Sequence, residues 1–369
     1  MPHKLKLALL IAALTANPVS AAPDEAALNA LIAKSQFSGS VSISYKPTST
    51  ATGEITFTIG RKKLGKTDKG HASTYWRWAS VTKQIIAVLV LQEVGRGSIA
   101  LDEPVAKYLP GFASPNAAKM TVRQLLRHQS GLPNPDETTP DANGIPSYYL
   151  PVSSYDRDPL KGYCAGPVKG EPGGNWAYNN CDYIVAGALL EAVTGKSWQM
   201  LVQERIARPL DLRSLQAFPS KSLTRGGTVG GKLEPAIDVA SYGASGALLG
   251  SARDLLAFDQ ALMTGKLLPQ KELEQLWDGQ ADLGYIALGQ WVFKASLKDC
   301  AKPVRLVERR GAIGGVQVRN FMAPDSQTAI AIFTDKSEAD FAFGEIWQGS
   351  GFSHDVLNAT LCNEAATIR

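Results

Sequence analysis

The sequence predicts an α/β fold: an antiparallel sheet flanked by helices, built from both ends of the chain, with a mainly helical segment inserted between them. Runs that alternate apolar and polar residues lie towards both termini and read as strands. Longer apolar or amphipathic runs in the middle read as helices, and Asn134 to Gly174 shows little periodicity of either kind. Residues 22–115 and 225–369 are accordingly assigned to one discontinuous α/β domain, and 116–224 to the helical insertion.

Taken in order, Lys4 and Lys6 precede the apolar run Leu7 to Ala16, and Val19-Ser20-Ala21 ends it in small residues, the pattern of a secretory signal peptide over 1–21. That run is too short for a membrane span, which needs about twenty apolar residues. Cleavage after Ala21 takes 21 residues, Lys4 and Lys6 among them, from a chain of 369 with formal charge +4, leaving 348 residues and +2. So small an excess offers no electrostatic footprint for nucleic acid. A periplasmic or secreted location follows, and with 44% hydrophobic residues the mature chain has enough apolar sequence for a sizeable core. The four cysteines Cys164, Cys181, Cys300 and Cys362 would meet an oxidising compartment, where disulfides are expected. Three pairings are open; Cys164 with Cys181 and Cys300 with Cys362 is preferred, because each joins neighbouring or C-terminal segments. Their spacing lacks a compact zinc pattern and only His71, His128 and His354 survive processing, so neither a metal nor another cofactor is expected.

Phe37 to Tyr45 and Glu54 to Gly60 alternate across a turn-rich link and predict two paired antiparallel strands. Within Gln84 to Glu93, the run Ile85 to Leu91 is apolar on every side, which predicts a helix sunk in a core. Thr121 to His128 reads as a short helix begun by a threonine cap, and the stretch to Gly174 as a functional loop or lid. Helices follow at Tyr183 to Val193, Trp198 to Ala207 and Arg253 to Thr264. Gln290–Phe293, Val304–Val307, Val316–Phe321 and Thr328–Phe333 are strand-like.

Three stretches carry candidate chemistry. Ser80, the only serine with a lysine three positions on, precedes the buried helix, where unpaired N–H groups and the helix dipole favour negative charge. Lys83 falls one turn along on the same face, and desolvation there disfavours its charged form, so it can take the serine's proton. Read alone, serine is also a common helix cap and lysine a common solvated residue. Tyr178 and Asn180 follow a Gly-rich turn, where Tyr178 could carry a proton and Asn180 offer an amide, although Tyr-Asn-Asn is also plain turn chemistry. In Glu308 to Gly315 a strand end with glycines lets a substrate approach the backbone, or is a basic hairpin facing solvent.

In this order the three stretches resemble the class C β-lactamase and serine-type DD-peptidase superfamily, in which Ser-x-x-Lys comes first, Tyr-x-Asn follows roughly one hundred residues later, and a Lys or His-x-Gly strand motif lies near the C-terminus. Phe37-Ser38-Gly39, Leu125 to Leu132, Pro172-Gly173 and Ser245 to Leu255 also fall in family order, so the resemblance spans nearly all of the mature chain. It implies a β-lactamase/transpeptidase-like fold and a hydrolase working through an acyl-enzyme on Ser80. Lys83 and Tyr178 would manage the proton, Asn180, Arg309, Arg310 and Gly311 would bind substrate, and the backbone N–H groups of Ser80 and Ala312 would hold the oxyanion. Arg309 and Arg310 depart from the usual third motif, because arginine gives up no proton and Arg310 is bulky where a small hydroxyl is common. A peptidase, amidase or esterase is therefore favoured, with a substrate carboxylate held by the two arginines and exported peptidoglycan fragments ending in D-alanine as a first substrate. A β-lactam hydrolase is the alternative, and a non-catalytic cell-wall binding or regulatory protein is the other.

Overall fold

The computed structural model describes residues 22–46, 53–59, 62–63, 66–67, 75–218 and 226–363. The expected signal peptide at 1–21, and His71, lie outside them. A six-stranded antiparallel sheet takes strands from both ends of the chain: β1 (Gly39–Tyr45), β2 (Gly53–Ile59), β3 (Trp291–Ala295), β4 (Val304–Ile313), β5 (Val316–Ala323) and β6 (Thr328–Thr334). The order across the sheet is β3-β4-β5-β6-β1-β2, so the N-terminal hairpin closes on the C-terminal strands through β1 and β6. β1 and β2 pair antiparallel as the alternation of those two runs predicts, with Ser44 opposite Glu54.

Strand periodicity sorts the sheet's side chains onto two faces, and this decides where the chemistry lies. In β6, Ala329, Ala331 and Phe333 join the larger apolar core, while Ile330 and Ile332 join the smaller one. The smaller core is covered by the terminal helices α1 (Glu25–Lys34) and α8 (Phe352–Leu361), through Leu28, Ile32, Val356 and Leu357. On the opposite face lie α2 (Thr82–Gly95) and α6 (Ala252–Met263). The sequence reading passed over α1, α8 and α7 (Gln270–Leu276), whose brief apolar patterns fill one face only once packed.

Helix α2 is apolar on all sides because it is enclosed on all sides: from Ile85 to Leu91 every residue is buried. Its neighbours include α4 (Asn180–Thr194) and α7, and α3 (Val122–Leu126) packs against α4 as well. Thr121 caps α3 through a complete capping box with Gln124. Helix α4 starts three residues before the predicted position, because the Asn179 side chain accepts from Cys181 N and makes Asn180 the first helical residue. The predicted helix from Trp198 splits into α5 (Trp198–Val202) and a π-turn over Gln203–Ala207. Disulfides join Cys164 to Cys181 and Cys300 to Cys362. The first ties the irregular 134–174 stretch to the start of α4, and a closed loop of this length contributes about 3 kcal/mol through the unfolded state. Among the described residues no helix is long and apolar enough to cross a membrane.

Candidate active site

Ser80 sits in a tight 3-10 turn, Ala79–Val81, directly ahead of α2. Ala79 takes φ 45°, a conformation that costs a non-glycine residue of order 1 kcal/mol and that the surrounding packing must hold. The segment before α6 supplies the hold: Trp78 N donates to Leu248 O at 2.9 Å, and Leu248 N donates to the Thr82 hydroxyl at 3.2 Å. Strand β4 closes the other side. A side chain at Gly311 would meet Ser80 N at 2.8 Å and Trp78 O at 3.0 Å, so the strand approaches the Ser80 turn only because that position is glycine. The Ser80 amide thus lies one strand residue from Ala312, and both residues line a cavity of about 470 Å³.

Lys83 is fully buried one turn along α2. Its Nζ lies 2.7 Å from Asn180 Oδ1, 2.8 Å from Ser245 O, 2.7 Å from the Tyr178 hydroxyl and 3.2 Å from Ser80 Oγ. Burial first, then the nearby Arg309 guanidinium, holds its pKa well below the ordinary lysine value. A neutral amine has two N–H bonds and one lone pair, and Asn180 Oδ1 and Ser245 O accept only. These two oxygens take both N–H bonds, so the lone pair is left for Tyr178. The amide of Asn180 is fixed in that orientation because its Nδ2 donates to Asp136 Oδ1 and to the Tyr149 hydroxyl, both at 2.9 Å.

Tyr178 stands between serine and lysine, its hydroxyl 2.5 Å from Ser80 Oγ. Burial raises its pKa, with Arg309 pulling the other way, so it rests as the phenol. The chain of donors is then complete: Ser80 O–H to the Tyr178 oxygen, Tyr178 O–H to the Lys83 lone pair. Arg309 Nη2 also donates to that phenol oxygen at 3.3 Å, and Arg309 Nε donates to Ser80 O at 2.9 Å. Its Nη1 is buried with no hydrogen-bond partner among the described residues.

The two adjacent arginines fall on opposite faces of β4. Arg309, with Val307, points to the α2 side and is fully buried. Arg310 is on the other side, where its guanidinium is spent on Glu308 at 3.0 Å and Glu345 at 2.8 Å. Both line the cavity, as do Asn180 and Gly311, and Arg310 meets it with its guanidinium already paired to two carboxylates. Arg309 is instead part of the hydrogen-bonded setting of Ser80 and Tyr178.

Several residues of the site had no chemical role assigned from the sequence, although His128 and Ser245 lie in stretches that fall in family order. Asp136 lies in the aperiodic stretch, Trp176, Tyr242 and Trp291 are scattered aromatics that become cavity wall, and Ser245 contributes only a carbonyl. His128 is the most structural of them. It has φ 60°, its ring centroid lies 4.9 Å from that of Tyr178, and its backbone oxygen accepts from Ala177 N. Asn179 N and Asp182 Oδ2 both approach its Nδ1, at 3.3 Å and 2.9 Å. Burial pushes Asp182 well up and His128 well down, which favours a neutral pair. Asp182→Asn keeps a donor and an acceptor without charge, so it should alter unfolding free energy in urea by no more than about 1 kcal/mol, whereas Asp182→Ala should cost about 3 kcal/mol. Equal large losses would mean that Asp182 is ionised.

The Beta-lactamase family pattern matches residues 49–348. A Bacillus subtilis (strain 168) protein named as a penicillin-binding protein is 26% identical over 299 residues, 77% of this chain and 68% of its own. Esterase EstB of Burkholderia gladioli is 36% identical over 149 residues, 38% of either chain. The chain thus spans about two thirds or less of the length of these relatives. A D-stereospecific amidohydrolase from Streptomyces sp. superposes with TM-score 0.67 at 24% identity, covering 92% of this chain and 99% of its own, a likeness of fold.

Proposed function

Since the chain belongs to the β-lactamase family of serine hydrolases, we propose that it hydrolyses small amide, peptide or ester substrates through an acyl-enzyme on Ser80. The observation that carries this reading is the placement of Lys83 Nζ within 2.7–2.8 Å of Asn180 Oδ1, Ser245 O and the Tyr178 hydroxyl; in the neutral amine the first two oxygens take both N–H bonds and the lone pair serves proton transfer from Ser80 through Tyr178. The Ser80 oxygen attacks the acyl carbon, and its proton passes to Tyr178 while the Tyr178 proton passes to Lys83. The N–H groups of Ser80 and Ala312 receive the oxyanion, and proton return to the leaving group precedes attack by water on the ester. Asn180 acts by orienting Lys83. Arg309 holds the Ser80 carbonyl and the Tyr178 hydroxyl, and with Arg310 and Gly311 it lines the cavity where the substrate would bind.

D-Amino-acid peptides and amides are the first substrate class, in keeping with relatives named for D-amino-acid amidase and penicillin-binding activity. Small esters come second and β-lactams third, because Arg310 puts a bulky side chain in the cavity wall where a fused ring would have to fit. Export past an oxidising compartment, with the two disulfides in support, would put peptidoglycan fragments within reach. The division into an α/β domain, 22–115 with 225–369, and an insertion at 116–224 belongs to the same proposal. Measured kcat/KM for D-amino-acid amides and D-Ala-D-Ala peptides should exceed that for a cephalosporin by at least about tenfold, the size of one lost charged hydrogen bond. Rapid cephalosporin turnover with inert peptides and amides would overturn the substrate assignment.

A further inference from the structure

Resting on Ser80 as the acylated nucleophile, we propose that Asp136 recognises a free ammonium group on the acyl half of the substrate, so that the enzyme takes amino-acid amides, esters or short peptides with an unblocked amino terminus. Asp136 lines the same cavity as Ser80 and is solvent-exposed through it. Both hydrogen bonds that reach its carboxylate end on Oδ1, from the Tyr149 hydroxyl at 2.8 Å and Asn180 Nδ2 at 2.9 Å. The carboxylate is therefore fixed in place with Oδ2 to spare, and it forms no ion pair among the described residues.

The charge balance of the site singles this carboxylate out. Arg310 and Arg319 are matched by Glu308 and Glu345, and Arg309 lies on the strand side between the rings of Tyr178 and Trp291. Asp136 is on the opposite side, next to Tyr242, whose ring stacks on Tyr149 at 3.8 Å. A fixed carboxylate beside aromatic faces is the chemistry that holds an ammonium ion. It is also tied to the nucleophile, because Asn180 bonds Asp136 with its nitrogen and Lys83 with its oxygen. An acyl group bound to Ser80 and a cation bound to Asp136 would thus be registered against each other by one side chain. Glu338, the other carboxylate of the cavity wall that forms no ion pair among the described residues, has no such link there and lies beyond β6.

The alternative role for Asp136 is to orient Asn180 alone, and a ratio separates the two. The test compares kcat/KM for D-alanine p-nitroanilide with that for its N-acetyl derivative in wild type, Asp136→Asn and Glu338→Gln, the asparagine keeping the acceptor for Tyr149 and Asn180. Wild type should prefer the free amine, and the preference should fall about tenfold in Asp136→Asn, the loss expected for a half-solvated charged hydrogen bond. It should be unchanged in Glu338→Gln. Protection of Ser80 from a fluorophosphonate by D-alaninamide, against N-acetyl-D-alaninamide, reads the same preference without turnover. A preference for the acetylated compounds, an equal loss on both, a ratio that collapses in Glu338→Gln instead, or neither turnover nor protection by the free amine would overturn the assignment. Labelling of Ser80 in the same samples reports the acyl-enzyme reading independently.

Discussion

Lys83→Met should lower kcat/KM by about 10²–10⁴-fold, the usual worth of a positioned general base, while leaving the chain folded. Methionine fills the volume of the lysine stem but accepts no proton, so Tyr178 loses the group to which it passes the Ser80 proton. The pH profile gives a sharper sign. Burial and the Arg309 charge hold the Lys83 pKa well below its ordinary value of 10.5, and the active form is the neutral amine. Activity should therefore rise with pH as Lys83 loses its proton, along a limb that falls well short of the ordinary lysine range, and Lys83→Met should lack that limb. A limb that persists in the variant would assign the titration to another group.

Arg309→Ala should cost about 10²–10³-fold in kcat/KM, comparable to removing one donor from an oxyanion site. It removes the N–H bonds to Ser80 O and the Tyr178 oxygen and the fixed charge that depresses Lys83. Since that charge lowers the Lys83 pKa, its removal must raise it, and the acidic limb of the profile should move to higher pH. Arg310→Ala should change kcat/KM by no more than about tenfold, because its guanidinium is held by Glu308 and Glu345 on the other face of β4. Equal losses from the two substitutions would contradict the division of roles. Unfolding curves of both variants separate these effects from loss of structure.

That division was available in the sequence. Two consecutive residues of a strand point to opposite faces, and Val304 to Val307 already read as strand, so extending the strand through Gly311 puts Arg309 and Arg310 on different sides. The expectation that both arginines hold a substrate carboxylate rested on the chemistry of arginine and not on strand geometry. Ser80, Lys83, Tyr178 and Asn180 were legible because local rules place them: a turn before a buried helix, one helical turn, and the entry to a second helix. Both disulfides follow the preferred pairing. What stayed hidden depends on contacts across long separations. Ser245 enters through a backbone oxygen, which no side-chain motif reports, and Asp136 acts from a segment without periodicity that is placed by α4 and the Cys164–Cys181 bridge. Asn180 was read as a loop residue because the Asn179 cap that starts α4 looked like ordinary turn chemistry.

Peptide mass mapping after reaction with a fluorophosphonate tests the central claim most directly. One adduct on the peptide that carries Ser80, formed more slowly in Lys83→Met and absent in Ser80→Ala, is the predicted result. An adduct on a different serine, or undiminished labelling and hydrolysis in Ser80→Ala, would contradict it.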